Sequence, residues 1–401
     1  MQRVAQAFRR SVTRLSRSDP GAARVDRVTT RLADVLEVLE GLYPAATAES
    51  WDAVGLVCGD PSAPVRKVLL AVDPVEAVVD EVVAGGFDLL LTHHPLFLRG
   101  TTSVAATTPK GRVVHRLLGT GAALHVAHTN ADVADPGVSD ALAELFDLRD
   151  LRPLSPSPGE ELDKLVVYVP VADTGRLRDA LAAAGAGQIG DYDRCAWSTT
   201  GTGTFRPLPG ADPTVGSVGA VTEVEESRLE VVLPRARRSR VLRAMLDAHP
   251  YEEPAYDLLE LADVPGRTGL GRVGELPSPI PLRELTERAA AVLPATAWGV
   301  RTAGDPAQVV TTLAVSGGSG DSLLGTAARS GAHAFLTADL RHHPASEAPE
   351  GLALLDAAHW ATEWPWLVDA ARRLTSATNV ETVVSTLVTD PWTHSARSPH
   401  A

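Results

Sequence analysis

Along this chain short apolar runs break off into polar stretches that carry histidine. FDLLLTHHP (Phe87 to Pro95) is apolar apart from Asp88 and Thr92 and leads directly into His93 and His94. This is the pattern of a buried strand leaving a parallel sheet. Three further runs end alike. GAALHVAHTNAD delivers His128, Asn130 and Asp132; HAFLTADLRHH delivers Asp339, His342 and His343; LALLDAAHWATE delivers Asp356, His359 and Glu363. Between them the periodicity predicts helices at Val28 to Leu42, Ala77 to Ala84, Val113 to Leu118 and Ser139 to Leu145, and strands at Val68 to Val72 and Ala123 to Ala127. Strand alternating with helix predicts an α/β lobe with right-handed parallel crossovers.

The pattern changes at LRPLSPSPGE (Leu151 to Glu160), which reads as a linker. Strands at Leu165 to Val169 and Leu229 to Val232, with helices at Thr174 to Ala184 and Ala236 to Ala248, then predict a small ferredoxin-like (α+β) insert in the order strand, helix, strand, strand, helix, strand. Its most distinctive stretches are TGTGTFRP (Thr200 to Pro207) and HPYEEPAYD (His249 to Asp257). After Gly266 the first pattern restarts: a strand at Thr311 to Val315, a tight turn at SGGSGDS and a helix at Leu323 to Arg329. AFLT then matches LLLT, and GLALLDAAHWATE matches GAALHVAHTNAD, as in an internal duplication. The expected organisation is therefore a basic extension at 1–27, a first α/β lobe at 28–150, linker and insert at 151–265, a second α/β lobe at 266–393 and a tail at 394–401. The two similar lobes, with mainly parallel sheets, are expected to form one cleft.

Composition narrows the function. A formal charge of −13 argues against general attraction to nucleic acid, although seven arginines face only Asp19 and Asp26 within residues 1–27. That segment has no apolar core of a secretory signal and reads as a disordered extension. No run approaches the roughly eighteen apolar residues of a membrane span. Cys58 and Cys195 form no CxxC, so neither a disulfide framework nor a thiolate zinc site is signalled, and a cytoplasmic location fits.

Six of the twelve histidines lie just past a short apolar strand, where open α/β sheets bind their ligands. Imidazoles and carboxylates without thiolate favour zinc, iron, manganese, cobalt or nickel. Five candidates, His93, His94, Asp132, His359 and Glu363, are too many for one four-coordinate ion that keeps a water. They suit two divalent ions about 3.5 Å apart. Asp339, His128 and His343 are candidates for supporting or proton-transfer roles. Pro365 predicts that a helix starts near Thr362, placing Glu363 in its first turn. SGGSGDS lacks the fingerprints of a nucleotide loop and reads as a simple turn; Trp360, Trp364 and Trp366 suit packing as well as base stacking; His249 reads as a helix-end residue.

THHP, HTNAD, TADLRHH and AHWATE, in that order and interrupted by an insert ending in HPYEEPAYD, resemble the Ngg-one-interacting-factor-three-like family, named in bacteria GTP cyclohydrolase 1 type 2 homologues. The resemblance covers roughly residues 28 to 393. It implies two similar α/β lobes, a homohexamer, a dinuclear metal centre and, in longer members, a CutA/PII-like insert. Metal ligation is implied for His93, His94, Asp132, His359 and Glu363. Two departures stand out: Ala53 in WDAVGL replaces a common asparagine, and His342 stands where an aromatic is common. The expected function is hydrolysis of a small, nucleotide-like substrate by a metal-bridged hydroxide. A regulatory or scaffold protein with structural metals is the alternative.

Overall fold

A computed structural model describes residues 30–263 and 266–396. The predicted extension at 1–27 and residues 397–401 of the predicted tail lie outside them. The described residues fall into two compact units, one taking in the chain to Pro44, Ala53–Val126 and Ala370–Thr386, the other Ala45–Asp52, Ala127–Asp369 and the chain from Leu387.

In the first unit the strands Lys67–Ala71, Leu89–Thr92, Ala123–Val126 and Glu381–Val384 run parallel, and Gly55–Cys58 closes one edge antiparallel. Leu89 to Thr92 is buried at every position, which is why its sequence shows no alternation. The helices Glu76–Gly85 and Pro109–Thr120 pack together, joined by a bidentate Arg112–Glu76 pair. Both end on a left-handed glycine, Gly86 and Gly121, and Thr108 caps the second through the amide of Gly111. The strand Glu381–Val384 is not legible in the sequence, because an edge strand of four residues leaves too short a signal.

In the second unit a six-stranded sheet runs in the order Val300–Ala303, Ala353–Ala357, Ala334–Ala338, Val309–Ser319, Gly269–Pro281 and Arg149–Pro156. Its middle strands are parallel, Leu313 facing Ala334 and Ala334 facing Ala353. Three expectations are corrected here. The predicted linker is mostly strand: Arg149–Pro156 pairs antiparallel with Gly269–Pro281, and its prolines are tolerated because it forms the sheet's edge. The predicted turn at SGGSGDS is strand as far as Ser319, since Ser319 still pairs with Ala338. The helix predicted from Thr362 begins at His359 and runs to Thr378 with Pro365 inside it.

The same unit carries a four-stranded antiparallel sheet of Trp197–Phe205, Thr222–Pro234, Leu162–Pro170 and Tyr256–Glu260. The helices Thr174–Ala183 and Arg238–Ala248 belong with it, sharing a core of Leu165, Val167, Leu177, Leu229, Val241 and Met245. The architecture as a whole is mixed α/β.

Candidate metal centre

Within the first unit, His93 and His94 follow the Leu89–Thr92 strand directly. The parallel ladder continues through them, the amide of His93 donating to Ala71 O (3.2 Å) and that of His94 to Val72 O (2.8 Å). Their backbone is thus fixed by the end of the neighbouring strand, two residues beyond which stands Asp73. His94 Nδ1 lies 2.7 Å from Asp73 Oδ1. An aspartate there holds the ring proton on Nδ1 and leaves the Nε2 lone pair to coordinate. His93 is fully buried, and its ring centroid is 5.3 Å from that of His94.

The second unit repeats the device twice. His128 stands at the start of the helix Thr129–Val133, where its amide donates to Asn130 Oδ1 (2.9 Å). Its Nδ1 lies 2.8 Å from Asp52 Oδ1, and the other oxygen of Asp52 accepts from the amide and the hydroxyl of Thr129 (3.0 and 2.5 Å). Burial works against ionisation of Asp52, but the bonds from His128 and Thr129 hold its carboxyl below the usual carboxylate range. Asp132 follows one helical turn after His128, its amide donating to His128 O at 3.0 Å.

His359 and Glu363 have the same one-turn spacing on the helix His359–Thr378. His359 Nδ1 is 2.7 Å from Asp339 Oδ2, and its Nε2 is 2.9 Å from Glu363 Oε1. Asp339 adopts a left-handed backbone (φ +58°) to present that carboxylate, a conformation a non-glycine residue holds only where its surroundings impose it. Gly318 clears the space beside the pair: a Cβ there would sit 2.5 Å from Glu363 Oε1 and 3.1 Å from His359 Nε2. Thr362 locks this corner, accepting from the amide of Gly318 (2.9 Å) and donating to His359 O (2.8 Å). The Glu363 carboxylate raises His359 to about 11; burial opposes that shift and Asp339 adds to it. A divalent ion would take the place of the proton these two groups share.

His93 and His94 in the first unit, and His128, His359 and Glu363 in the second, are among the residues able to hold a metal ion. The donors are imidazole nitrogens and a carboxylate, a set that fits a borderline divalent cation.

The sequence profile of the family described as Duf34/NIF3 (NGG1p interacting factor 3) matches residues 30–391. The chain belongs to this family. A GTP cyclohydrolase 1 type 2 homolog of Mycobacterium bovis is 54% identical over 370 residues, 91% of this chain and 97% of that protein. Among solved structures, the Bacillus cereus protein related to NIF3 is 35% identical with a TM-score of 0.70, and Staphylococcus aureus protein SA1388 is 28% identical with a TM-score of 0.78. Each alignment covers 91% of this chain and 99% of the other. The resemblance drawn from the four histidine motifs is thereby borne out.

Other members of the Duf34/NIF3 motifs occupy different settings. His343 is exposed and lies 3.9 Å from Glu347. Asp356 is structural, accepting from Arg301 Nε (2.6 Å) and the amide of Leu340 (3.0 Å). Trp360 and Trp366 are buried, which fits packing, and His249 ends its helix as expected. Three residues escaped the sequence reading. Asp52 stood in view within WDAVGL, Asp73 ends the Val68 to Val72 run, and Gly318 lies in SGGSGDS. None of these stretches names its partner, since His128 lies 76 residues from Asp52 and His94 lies 21 from Asp73.

Proposed function

We propose that this Duf34/NIF3 protein is a metal-dependent hydrolase of a small, nucleotide-like substrate, with His93, His94, Asp132, His359 and Glu363 holding two divalent ions. His128 joins the ligands in this reading, because it carries the same aspartate anchor as His94 and His359. The observation that carries the proposal is that recurrence: three histidines, each with Nδ1 engaged by an aspartate, the arrangement that presents Nε2 to a metal ion. Two ions bound there would lower the pKa of a shared water and clamp the oxygens of a scissile group.

The chain's own groups supply the rest. Asp73, Asp52 and Asp339 fix the ring tautomers, and Asp339, half exposed, can pass a proton between His359 Nδ1 and water. His343 stays a proton-transfer candidate in this reading. The two lobes are read as an internal duplication, supported by a shared strand order: an antiparallel edge strand followed by three parallel strands in each sheet. The insert is read as a ferredoxin-like domain of the CutA/PII kind, the assembly as a homohexamer and the compartment as the cytoplasm, which suits two free cysteines.

The test is a substrate screen, with GTP included, on metal-loaded wild type and Glu363→Ala in parallel, alongside metal analysis of His94→Ala. Turnover lost in Glu363→Ala, with metal content reduced in both variants and the fold intact, is expected. Full metal content in both variants would overturn the ligand assignment. Two retained ions without turnover on any substrate would overturn the hydrolase reading.

A further inference from the structure

The two stretches that the metal ligands leave unexplained, TGTGTFRP and HPYEEPAYD, wall one cavity of about 750 Å³ in the insert. Its floor is the face of the four-stranded sheet turned away from the helices: Tyr168 and Thr199 lie opposite Arg228, and Gly201 opposite Glu226. Asp212 N–H donates to Glu252 Oε2 (3.0 Å) and Thr214 Oγ1 to Pro250 O (2.7 Å), tying one wall to the other. The volume is that of a small-molecule site.

The chemistry inside is one-sided. Glu226 is only 9% exposed, and among the described residues no lysine or arginine pairs with it, Arg228 being committed to Glu230 at 3.1 Å. The oxygen of the Tyr251 hydroxyl is wholly out of water and faces that carboxylate, and burial together with Glu226 pushes its pKa up to about 12. The Tyr251 ring packs 5.9 Å from Phe205 and 5.2 Å from His249. His249 in turn fixes Tyr251, accepting its amide at Nδ1 (3.0 Å) while Nε2–H donates to Tyr168 O (3.0 Å). Gly203 is required for this arrangement, because a Cβ there would lie 2.0 Å from Glu226 Oε2. A sequestered carboxylate without a cation is costly, and aromatic faces beside it favour positive charge.

We propose that this cavity binds a small planar ligand bearing an amidinium or protonated amine, held by the Glu226 carboxylate and packed against Phe205 and Tyr251. The ligand's N–H groups satisfy the Glu226 carboxylate, and the exposed Arg206 leaves room for an acidic tail.

Calorimetric titration of the metal-loaded full chain with benzamidine tests this, with benzamide as the neutral isostere. Saturable binding of one benzamidine per chain is expected, weakened at least about tenfold for benzamide and in Glu226→Gln, the worth of one charge-assisted hydrogen bond. Gly203→Ala, which keeps the charge but displaces the flexible end of Glu226, is expected to weaken binding similarly while leaving the melting temperature and metal content unchanged. No binding to the wild type, equal binding of benzamidine and benzamide, or undiminished binding in both folded variants would overturn the proposal.

Discussion

A histidine that coordinates a metal gives up one nitrogen and must keep a proton on the other. Asp73, Asp52 and Asp339 stand against Nδ1 of His94, His128 and His359, placed to do this for the proposed ligands. Removing such an anchor leaves the ligand in place but lets its ring turn and lowers its basicity. Asp73→Ala should therefore reduce metal affinity by about 10- to 100-fold with the fold retained, as read by chelator competition; an unchanged affinity would refute the anchoring role. A second prediction concerns the proton shared by His359 and Glu363 in metal-free protein. Because His359 is raised in the folded state to about 11, its contribution to stability is complete below the ordinary imidazole pKa, near about 6.5, and drains away as pH rises toward 11. Urea midpoints of chelator-treated protein should fall across that window, and Glu363→Gln should flatten the fall. The proposed ligands were legible because their motifs follow apolar runs. The anchors were not, since a contact made across a fold leaves no mark at either position.

At the scale of elements, the segment bearing His128 and Asp132 is held to the second unit's sheet by one buried arginine. Arg272, 2% exposed, donates from Nη1 to Gly269 O and Gly271 O (2.7 and 2.8 Å), from Nη2 to Ala134 O (2.5 Å) and from Nε to Asp140 Oδ1 (2.8 Å). Arg272→Ala would leave a carboxylate and three carbonyls without their donor, so a loss of about 3–5 kcal/mol is expected in urea unfolding. A loss below about 1 kcal/mol would show that water replaces the guanidinium at little cost. Most helices and central strands were readable from periodicity alone. The errors fell where a local signal was outweighed by pairing: prolines at Pro153 and Pro156 looked like a linker, glycines at Gly317 and Gly318 like a turn, and Pro365 like a helix start. In each case the surrounding structure accommodates the residue, so composition misled.

For the whole molecule, family membership makes the homohexamer testable. Native mass measurement is expected to give six times the 42.2 kDa chain, and a monomer at micromolar concentration would remove that part of the reading. An assembly of many identical subunits brings many identical sheet borders to high local concentration. The border formed by Arg149–Pro156 lacks an amide donor at one of its two prolines, the other facing Gly269–Pro281, so an approaching chain finds no continuous ladder to extend. The residues that disguised this strand in the sequence thus also guard the protein against edge-to-edge aggregation.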